Sequence, residues 1–415
     1  MGLCAVRQVR QSVNAVSQSS KSLASTSNSE KKILLACART RMSAELAARI
    51  RALITIDLDW QALDTAAAEH GVAPLVCSQL LAHFAEVIPV EWQMRMRRQL
   101  EETAQRNLYL TAEMFRLANN FRAEGMFAVP YKGPLLAEQA YGNLAMRQFT
   151  DLDFAMRQID VPRAAAILEV NGYEAVFGAA PAEEGTRPTH SEYQFVRPVG
   201  NVIVEMQTEI TLRYFPRKLN FDALEKRLAT ISIAGGQVLS FSPEDTLILL
   251  SVHGAKHFWE RLMWIADISE LSQAIPAIRW DEAFSRAKKM GVSRALNLAL
   301  YLAHRMLEAP LPDYVLAKVL LDRASSKLGD GICERFSMNA HMQIPIFARL
   351  RFRVASRDSF WAGLRFAMRL ATSPTEHDRA DAPLPDGMSG MRRWLRPVLL
   401  MKRYGIRRPK SNERR

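Results

Sequence analysis

The chain has 415 residues, too many for one ordinary hydrophobic core, so two or three domains are expected. Hydrophobic residues make up 48% of the sequence and charged residues 24%, values that exclude wholesale disorder and fibrous classes. The net charge of +12 lies at the two ends, because residues 1–29 hold three bases and no acid while residues 388–415 hold ten bases and one acid. Residues 30–387 are therefore neutral in sum, which argues against a dedicated basic binding face on the main body.

The cysteines and the hydropathy pattern bear on the compartment. Cys4, Cys37, Cys77 and Cys333 are scattered and form no CxxC pair, which excludes a zinc ribbon or a disulfide scaffold and fits a reducing compartment. Eighteen charge-free apolar residues never occur in a row, so no membrane-spanning helix is expected. We therefore predict a cytoplasmic protein.

The first part of the chain predicts a disordered segment followed by helices. Residues 11–29 are rich in Ser, Asn and Gln with few large apolar residues, and we predict residues 1–29 to be a disordered basic N-terminus. An Arg- and Ser-rich segment without acids is also typical of an organelle transit peptide, but no clear amphipathic helix accompanies it here. Residues 30–125 predict an N-terminal helical region. Steps of three and four place Leu100, Ala104, Leu108, Ala112, Phe115 and Ala118 on the apolar face of one long helix.

The pattern changes near Met126, where short apolar runs alternate with helical stretches such as Val161–Val170. Residues 126–240 predict an α/β core. The predicted strands are Phe127–Tyr131, Leu152–Met156, Tyr193–Val196, Val202–Met206 and Thr230–Ile233.

A helix signal opens the next region. Ser242 is placed as an N-cap, with Pro243 at the first helical position and Asp245 at the capping-box position. Residues 241–387 predict a C-terminal helical region, and residues 388–415 a basic tail. The predicted fold class is α+β, a small mixed sheet flanked by N- and C-terminal helical regions.

The residues with the clearest chemical potential are Asp151 and Asp153 in the segment DLDF. In a strand, residues two apart point to the same side, so these carboxylates face together while Leu152 and Phe154 enter the core. Adjacent carboxylates repel and suit a bound Mg²⁺ ion. Asp57-Leu58-Asp59 repeats the tripeptide, but there Asp59 is placed as the N-cap of a helix.

A third acid fits the same arrangement. In Val202–Gln207 the alternation places Glu205 on the face opposite Val202, Val204 and Met206. Three carboxylates from two neighbouring strands could hold two Mg²⁺ ions, about 4 Å apart, for in-line displacement at phosphorus.

The surroundings of these acids carry a family resemblance. The stretch Tyr131–Met156, YKGPLLAEQAYGNLAMRQFTDLDFAM, resembles the uncharacterised nucleotidyltransferase family of the superfamily that includes polymerase beta. That family has a Lys-Gly helix start, an Arg four residues before the DxD, and a later single acid. Ser242–Glu270 and Ser373–Gly405 also resemble later segments of the family, so the similarity covers roughly residues 31–405.

Two positions depart from the family pattern. Gln207 stands where a histidine often follows the third acid, which leaves Glu209 as the fallback for Glu205. Pro134 stands where a small or aliphatic residue usually follows the glycine, and proline suits the first turn of a helix.

The resemblance implies a Mg²⁺-dependent nucleotidyltransferase that moves a nucleoside monophosphate from a nucleoside triphosphate, ATP among the candidates, to an acceptor and releases pyrophosphate. Asp151, Asp153 and Glu205 would be both catalytic residues and metal ligands, with two ions expected. Gly133 would let a helix N-terminus approach the phosphates. Lys132 and Arg147 would contact phosphates or serve structural roles, for Arg147 a salt bridge to one of the two aspartates.

The predicted helix after Ser242 supplies a further candidate. Lys256 lies between His253 and His257 on one helix face, where it could reach a triphosphate or only pack between domains. The His-x-x-x-His spacing could bind zinc, but the glutamate of the zincin motif is absent.

The partners are less closely specified. The acceptor could be a sugar, another small molecule, a protein or a tRNA end. Residues 388–415 could contact RNA or an anionic surface, or could simply be solvated. The alternative function is a non-catalytic nucleotide- or RNA-binding protein on the same fold, with that tail as its main contact.

Overall fold

Five helices precede the first strand in the computed structural model, which describes residues 28–177, 192–208, 221–275, 278–337 and 344–372. They are α1 (Asn28–Cys37), α2 (Ala44–Arg51), α3 (Trp60–Glu69), α4 (Ala73–Phe84) and α5 (Val90–Ala123). The Asp59 side chain accepts a hydrogen bond from the Ala62 amide at 2.8 Å, which confirms it as the N-cap of α3. Asn28 and Ser29 already belong to α1, and the rest of the N-terminus predicted to be disordered lies outside the described residues.

A five-stranded mixed sheet follows, with a separate two-stranded hairpin. The strands and the intervening helices are β1 (Ala128–Pro130), α6 (Gly133–Tyr141), β2 (Asp151–Met156), α7 (Val161–Val170), β3 (Glu174–Phe177), β4 (Glu192–Arg197), β5 (Val202–Gln207), α8 (Phe221–Glu225), β6 (Ala229–Ile233) and β7 (Gly236–Ser240). The sheet order is β1-β2-β5-β4-β3, in which only β2 and β5 run parallel. All five predicted strands are present, whereas β3 and β7 were not predicted.

The rest of the described chain is helical. It comprises α9 (Pro243–Lys256), α10 (Leu262–Ala274), α11 (Trp280–Met290), α12 (Ser293–Leu307), α13 (Asp313–Leu321), α14 (Arg323–Ser337), α15 (Ile346–Ala355) and α16 (Phe360–Thr372). Ser242 caps α9 as predicted, with its hydroxyl accepting from the Asp245 amide. The predicted α+β class, a small mixed sheet between helical flanks, is confirmed.

Two main cores meet at α5 and α6. The helical core joins α1–α4 to the helices that follow the sheet, and the sheet core lies between the sheet, α7 and the C-terminal half of α5. On α5, Met96 packs in the helical core while Leu110 packs in the sheet core. On α6, Leu136 packs in the helical core and Leu135 in the sheet core. α5 and α6 therefore fix the sheet relative to the helical region.

The predicted apolar face of α5 was wrong in part. Leu108 is 57% exposed, and the buried face instead follows Leu110, Met114, Leu117 and Phe121. Polar residues occupy part of that buried face. Asn107, for example, is buried because its amide donates to the carbonyl oxygens of Leu144 and Arg147.

The remaining sequence predictions concern residues outside the described ranges, the cysteines and membrane-spanning helices. Glu209, Ser373–Gly405 and the basic tail lie outside the described residues. Cys37, Cys77 and Cys333 form no disulfide among the described residues. None of the helices in the described ranges has the length and apolar character needed to cross a membrane.

Candidate active site

Three carboxylates share one face of the sheet where β2 and β5 run side by side. Asp153 lies directly opposite Glu205 in the parallel register, and Asp151 precedes Asp153 by two residues. Leu152 and Phe154, which alternate with the two aspartates along β2, belong to the sheet core. The structure thus brings together the three acids that the sequence singled out, and the pleat of two neighbouring strands is the cause.

Two hydrogen-bond donors contact Asp153, one of them a cation and the other an uncharged amide. The Lys132 ammonium lies 2.9 Å from Asp153 Oδ1, and both side chains are buried. The Gln207 amide donates to the same Oδ1 at 3.0 Å and lies 3.4 Å from Glu205 Oε2. Tyr131 fixes this amide, because its hydroxyl donates to Gln207 Oε1 at 2.6 Å. Asp153 is therefore held in one position by a connected network.

Among the described residues, one ion pair compensates the three carboxylates, the contact of Lys132 with Asp153. Burial and the charges of Asp153 and Asp151 raise the pKa of Glu205 to about 7. Burial and the charge of Asp153 also raise the pKa of Asp151, although Lys132 and Arg147 oppose that rise. Repulsion of this kind is relieved when a cation binds between the oxygens.

The donor set therefore fits Mg²⁺, although the described residues contain no group of three His, Cys, Asp or Glu side chains already arranged to hold a metal. Carboxylate oxygens are the ligands that Mg²⁺ prefers. The Gln207 amide lies between Asp153 and Glu205 oxygens, so it would have to turn or move to admit an ion there. Asp151, Asp153 and Glu205 are the residues that would hold the metal.

A helix begins immediately beside these acids. Gly133 starts α6 with a φ of +48°, in the left-handed region that favours glycine. A Cβ atom on Gly133 would lie 3.5 Å from the Asp151 carbonyl oxygen, an ordinary van der Waals distance, so the helix N-terminus lies directly beside β2. Free amide groups at such a terminus favour an anion near the carboxylate cluster.

Arg147 has a different partner from those that the sequence suggested. Its guanidinium forms two hydrogen bonds to the Asp267 carboxylate, at 2.8 and 2.9 Å, and both side chains are buried. Tyr141 donates to Asp267 Oδ1 at 2.7 Å. Although burial disfavours the charged guanidinium, Asp267 raises the pKa of Arg147. The salt bridge predicted to one of the two site aspartates is thus made to Asp267 on α10 instead, and a phosphate-binding role remains a prediction.

The comparisons with known proteins bear on this arrangement. A family model described as uncharacterised nucleotidyltransferase matches residues 57–308, more than half of the chain. The chain belongs to the uncharacterised nucleotidyltransferase family. The resemblance found on the segment around DLDF is thereby confirmed. A search of curated proteins finds no match.

In this nucleotidyltransferase-family chain, the C-terminal end of α9 supplies the other candidate residue. Lys256 forms an ion pair with Glu192, which lies opposite Gln207 on the neighbouring strand β4. The rings of His253 and His257 lie 4.7 Å apart and pack against Trp264. The two histidines are thus part of the packing between α9 and α10, and the nucleotide-binding role of Lys256 stays a prediction.

Four polar residues around the carboxylates escaped the sequence analysis as functional candidates. Gln207 donates to Asp153, Gln194 donates to Glu205, and Tyr131 donates to Gln207. Glu192 pairs with Lys256. The alternation in β4 and β5 was the available signal, since Gln194 and Glu192 lie opposite Glu205 and Gln207 in the antiparallel register. That signal becomes readable only once β4 is known to neighbour β5.

The histidine pair predicts an acid-sensitive fold. Burial, followed by the charge of Lys256, lowers the pKa of His257 from 6.5 to about 4. The unfolded chain therefore binds this proton more tightly, so the stabilisation is complete above about pH 6.5 and is lost as the pH falls towards 4. We expect His257 to account for a loss of up to about 3 kcal/mol in the free energy of unfolding. Urea titrations between pH 7 and pH 4 measure this loss in the free energy of unfolding.

Matched variants isolate this effect. His257→Gln should flatten the pH dependence, whereas His83→Gln, at an exposed position, should leave it unchanged. A parallel slope in the wild type and His257→Gln would contradict the assignment to His257.

Proposed function

We propose that the protein is a Mg²⁺-dependent nucleotidyltransferase that moves a nucleoside monophosphate from a nucleoside triphosphate to an acceptor and releases pyrophosphate. The acceptor oxygen would form a bond to the α-phosphorus while the bond to the β-phosphate oxygen breaks. Membership of a nucleotidyltransferase family supports the reaction class. Asp151, Asp153 and Glu205 would provide the catalytic carboxylates.

The observation that supports this proposal most directly is the register of β2 against β5. It pairs Asp153 with Glu205 across parallel strands and leaves Asp151 on the same face, beside the start of α6. The carboxylates repel one another and so favour a cation, whereas the free helix amides favour an anion, and a metal-bound triphosphate presents both.

The chain's own residues would orient the reactants. Lys132 and Gln207 hold Asp153 by hydrogen bonds, so its carboxylate is positioned before substrate arrives. The amides at the start of α6 would bind phosphate oxygens, with Gly133 allowing their close approach. Lys256 lies on the same side of the sheet and would add positive charge if it leaves Glu192. Two Mg²⁺ ions, when bound, would supply electrostatic stabilisation of the phosphates and a lowered pKa of the acceptor hydroxyl.

A non-catalytic nucleotide-binding protein is the second candidate, and one observation favours it. Lys132 already neutralises part of the Asp153 charge, and the Gln207 amide lies between Asp153 and Glu205. A site that binds a nucleotide without a metal could have this arrangement. The two candidates differ in whether nucleotide is turned over.

Turnover can be measured with the full-length protein. We expect incubation with each of four α-labelled nucleoside triphosphates, Mg²⁺ and a cell extract as the acceptor source to transfer label and release pyrophosphate for at least one nucleotide. Excess EDTA should abolish the transfer, because the three carboxylates would then lack their metal. A heat-treated sample of the protein provides the background.

The contrary outcomes are distinct. Release of a nucleoside diphosphate in place of pyrophosphate would indicate phosphotransfer and would overturn the proposed bond cleavage. Nucleotide binding in equilibrium dialysis without transfer to any component of the extract would favour the non-catalytic candidate. Transfer that persists in EDTA would contradict the role of Mg²⁺.

A further inference from the structure

The last two described helices, α15 and α16, form a hairpin whose turn is hydrogen-bonded to the start of α12. Asp358, in the turn between α15 and α16, accepts hydrogen bonds from the Ser293 and Arg294 amides at 3.0 and 2.9 Å, at the start of α12. The helices approach closely where Gly363 faces Val354. Phe352 is buried in the helical core. One side of the hairpin is therefore fixed to the protein, and the other side is presented outward.

The outward side carries large apolar residues. Phe347, Phe360 and Trp361 are 70%, 77% and 70% exposed, and Leu350 and Leu364 accompany them at 37% and 38%. Leu364 lies four positions after Phe360 and three after Trp361, so it neighbours both on the surface of α16. These five residues are called the hairpin face. The Phe360 and Trp361 rings lie 5.6 Å apart, and such a pair of exposed aromatic side chains indicates a binding surface, since single exposed apolar residues are ordinary.

The hairpin face is flanked by positive charge. Neither α15 nor α16 contains an acid, while Arg351, Arg365 and Arg369 are exposed and have no acidic partner among the residues that the structure describes. Asp358, the one acid between residues 344 and 372, is engaged at the start of α12. The hairpin thus combines exposed aromatic rings with uncompensated arginines.

We propose that the hairpin face binds the surface of an anionic lipid bilayer. The two helices would lie in the plane of the interface, with the aromatic rings at the boundary between headgroups and acyl chains and the arginines on lipid phosphates. Trp361 suits that position because its ring is apolar and its indole N–H can remain hydrated. The proposal is independent of the nucleotidyltransferase function.

Charge and shape favour lipid over other occupants. A second copy would place arginines against arginines in a symmetric contact. Residues 388–415 carry a net charge of +9 and would be repelled for the same reason, whereas residues 373–387, with four acids and one base, contain Leu384 as their one large aliphatic residue. Single-stranded RNA would use the rings and the arginines but would leave the aliphatic Leu350 and Leu364 without a partner, whereas acyl chains contact both.

The test uses the full chain and vesicles of two compositions. We expect the protein to float with vesicles of phosphatidylcholine and phosphatidylglycerol at least about tenfold more than with phosphatidylcholine alone. Phe360→Ser/Trp361→Ser should lower binding to the anionic vesicles by about tenfold or more, and Arg365→Glu/Arg369→Glu should remove the preference for anionic lipid. Nucleotidyl transfer should be unaffected in both variants.

Val90→Ser/Ile159→Ser is the matched control, because those apolar residues are 71% and 80% exposed elsewhere on the protein. It should bind anionic vesicles as the wild type does, and thermal melting of every variant checks the fold. The proposal would be overturned if the wild-type protein bound neither kind of vesicle, or if Phe360→Ser/Trp361→Ser bound anionic vesicles like the wild type. The proposal would also be overturned if Phe360→Ser/Trp361→Ser lost dimer formation or single-stranded RNA binding while its vesicle binding stayed unchanged.

Discussion

Asp153→Asn is expected to lower nucleotidyl transfer by about 10³-fold. The substitution keeps the size of the side chain and removes one negative charge from a cluster that would hold Mg²⁺, and metal stabilisation of a phosphoryl transition state is worth several kcal/mol. Asp153 is the most constrained member of the cluster, since Lys132 and Gln207 both donate to its Oδ1. Label transfer from the nucleotide that the wild type uses measures the loss.

The chain supplies its own control for this variant. Asp57-Leu58-Asp59 is the same tripeptide as Asp151-Leu152-Asp153, but it precedes α3, and Asp57 is exposed there. Asp57→Asn should retain full activity. Since Asp153→Asn leaves Lys132 without its ion-pair partner, thermal melting and titration with Mg²⁺ should accompany the assay. A folded Asp153→Asn protein with wild-type transfer would remove the catalytic role of Asp153.

Much of the sheet could be predicted from local patterns, and the exceptions have a physical reason. β2 and β5 alternate between residues of the sheet core and polar residues of the site, so both their existence and their orientation are readable. β3 is an edge strand in which Val176 is 55% exposed, and in β7 Leu239 is 39% exposed. Strands that bury only part of their apolar residues give a weak pattern, and both were missed.

The carboxylate cluster was predictable as a set of residues but not as a geometry. The alternation alone places Asp151 and Asp153 on one side of a strand and Glu205 on one side of another. The pairing of Asp153 with Glu205 requires β5 to lie beside β2. β4 precedes β5 in the chain but lies on the other side of β5, away from β2. The donors Gln207 and Tyr131 depend on the same neighbour relations, so they became visible only in the fold.

Arg147 illustrates a longer-range limit. The sequence marked Arg147 as a residue of interest, yet its partner Asp267 is 120 positions away and their pairing requires α10 to pack on α6. A local pattern contains no information on such a contact. The buried ion pair therefore links the segment before the DLDF strand to the C-terminal helical region.

We expect Arg147→Met to destabilise the protein strongly, by about 3–5 kcal/mol in the free energy of unfolding, because it leaves the Asp267 carboxylate buried without its cation. Tyr141 would remain as a hydrogen-bond donor to Asp267 but cannot neutralise it. Arg147→Lys should also be destabilising, since an ammonium cannot reproduce the two parallel hydrogen bonds. Urea titration at neutral pH, followed by circular dichroism, gives the value.

Two comparisons decide whether this effect belongs to the ion pair. Arg147→Met/Asp267→Leu should recover much of the lost stability, because replacing both charges by apolar groups removes the buried unpaired carboxylate. Arg95→Met removes a cation 2.7 Å from Asp64, but Arg95 is 53% exposed, so a loss below about 1 kcal/mol is expected. If Arg147→Met instead melts like the wild type and raises the KM for the nucleoside triphosphate, the guanidinium contacts substrate, and the predicted phosphate-binding role of Arg147 would replace the structural one.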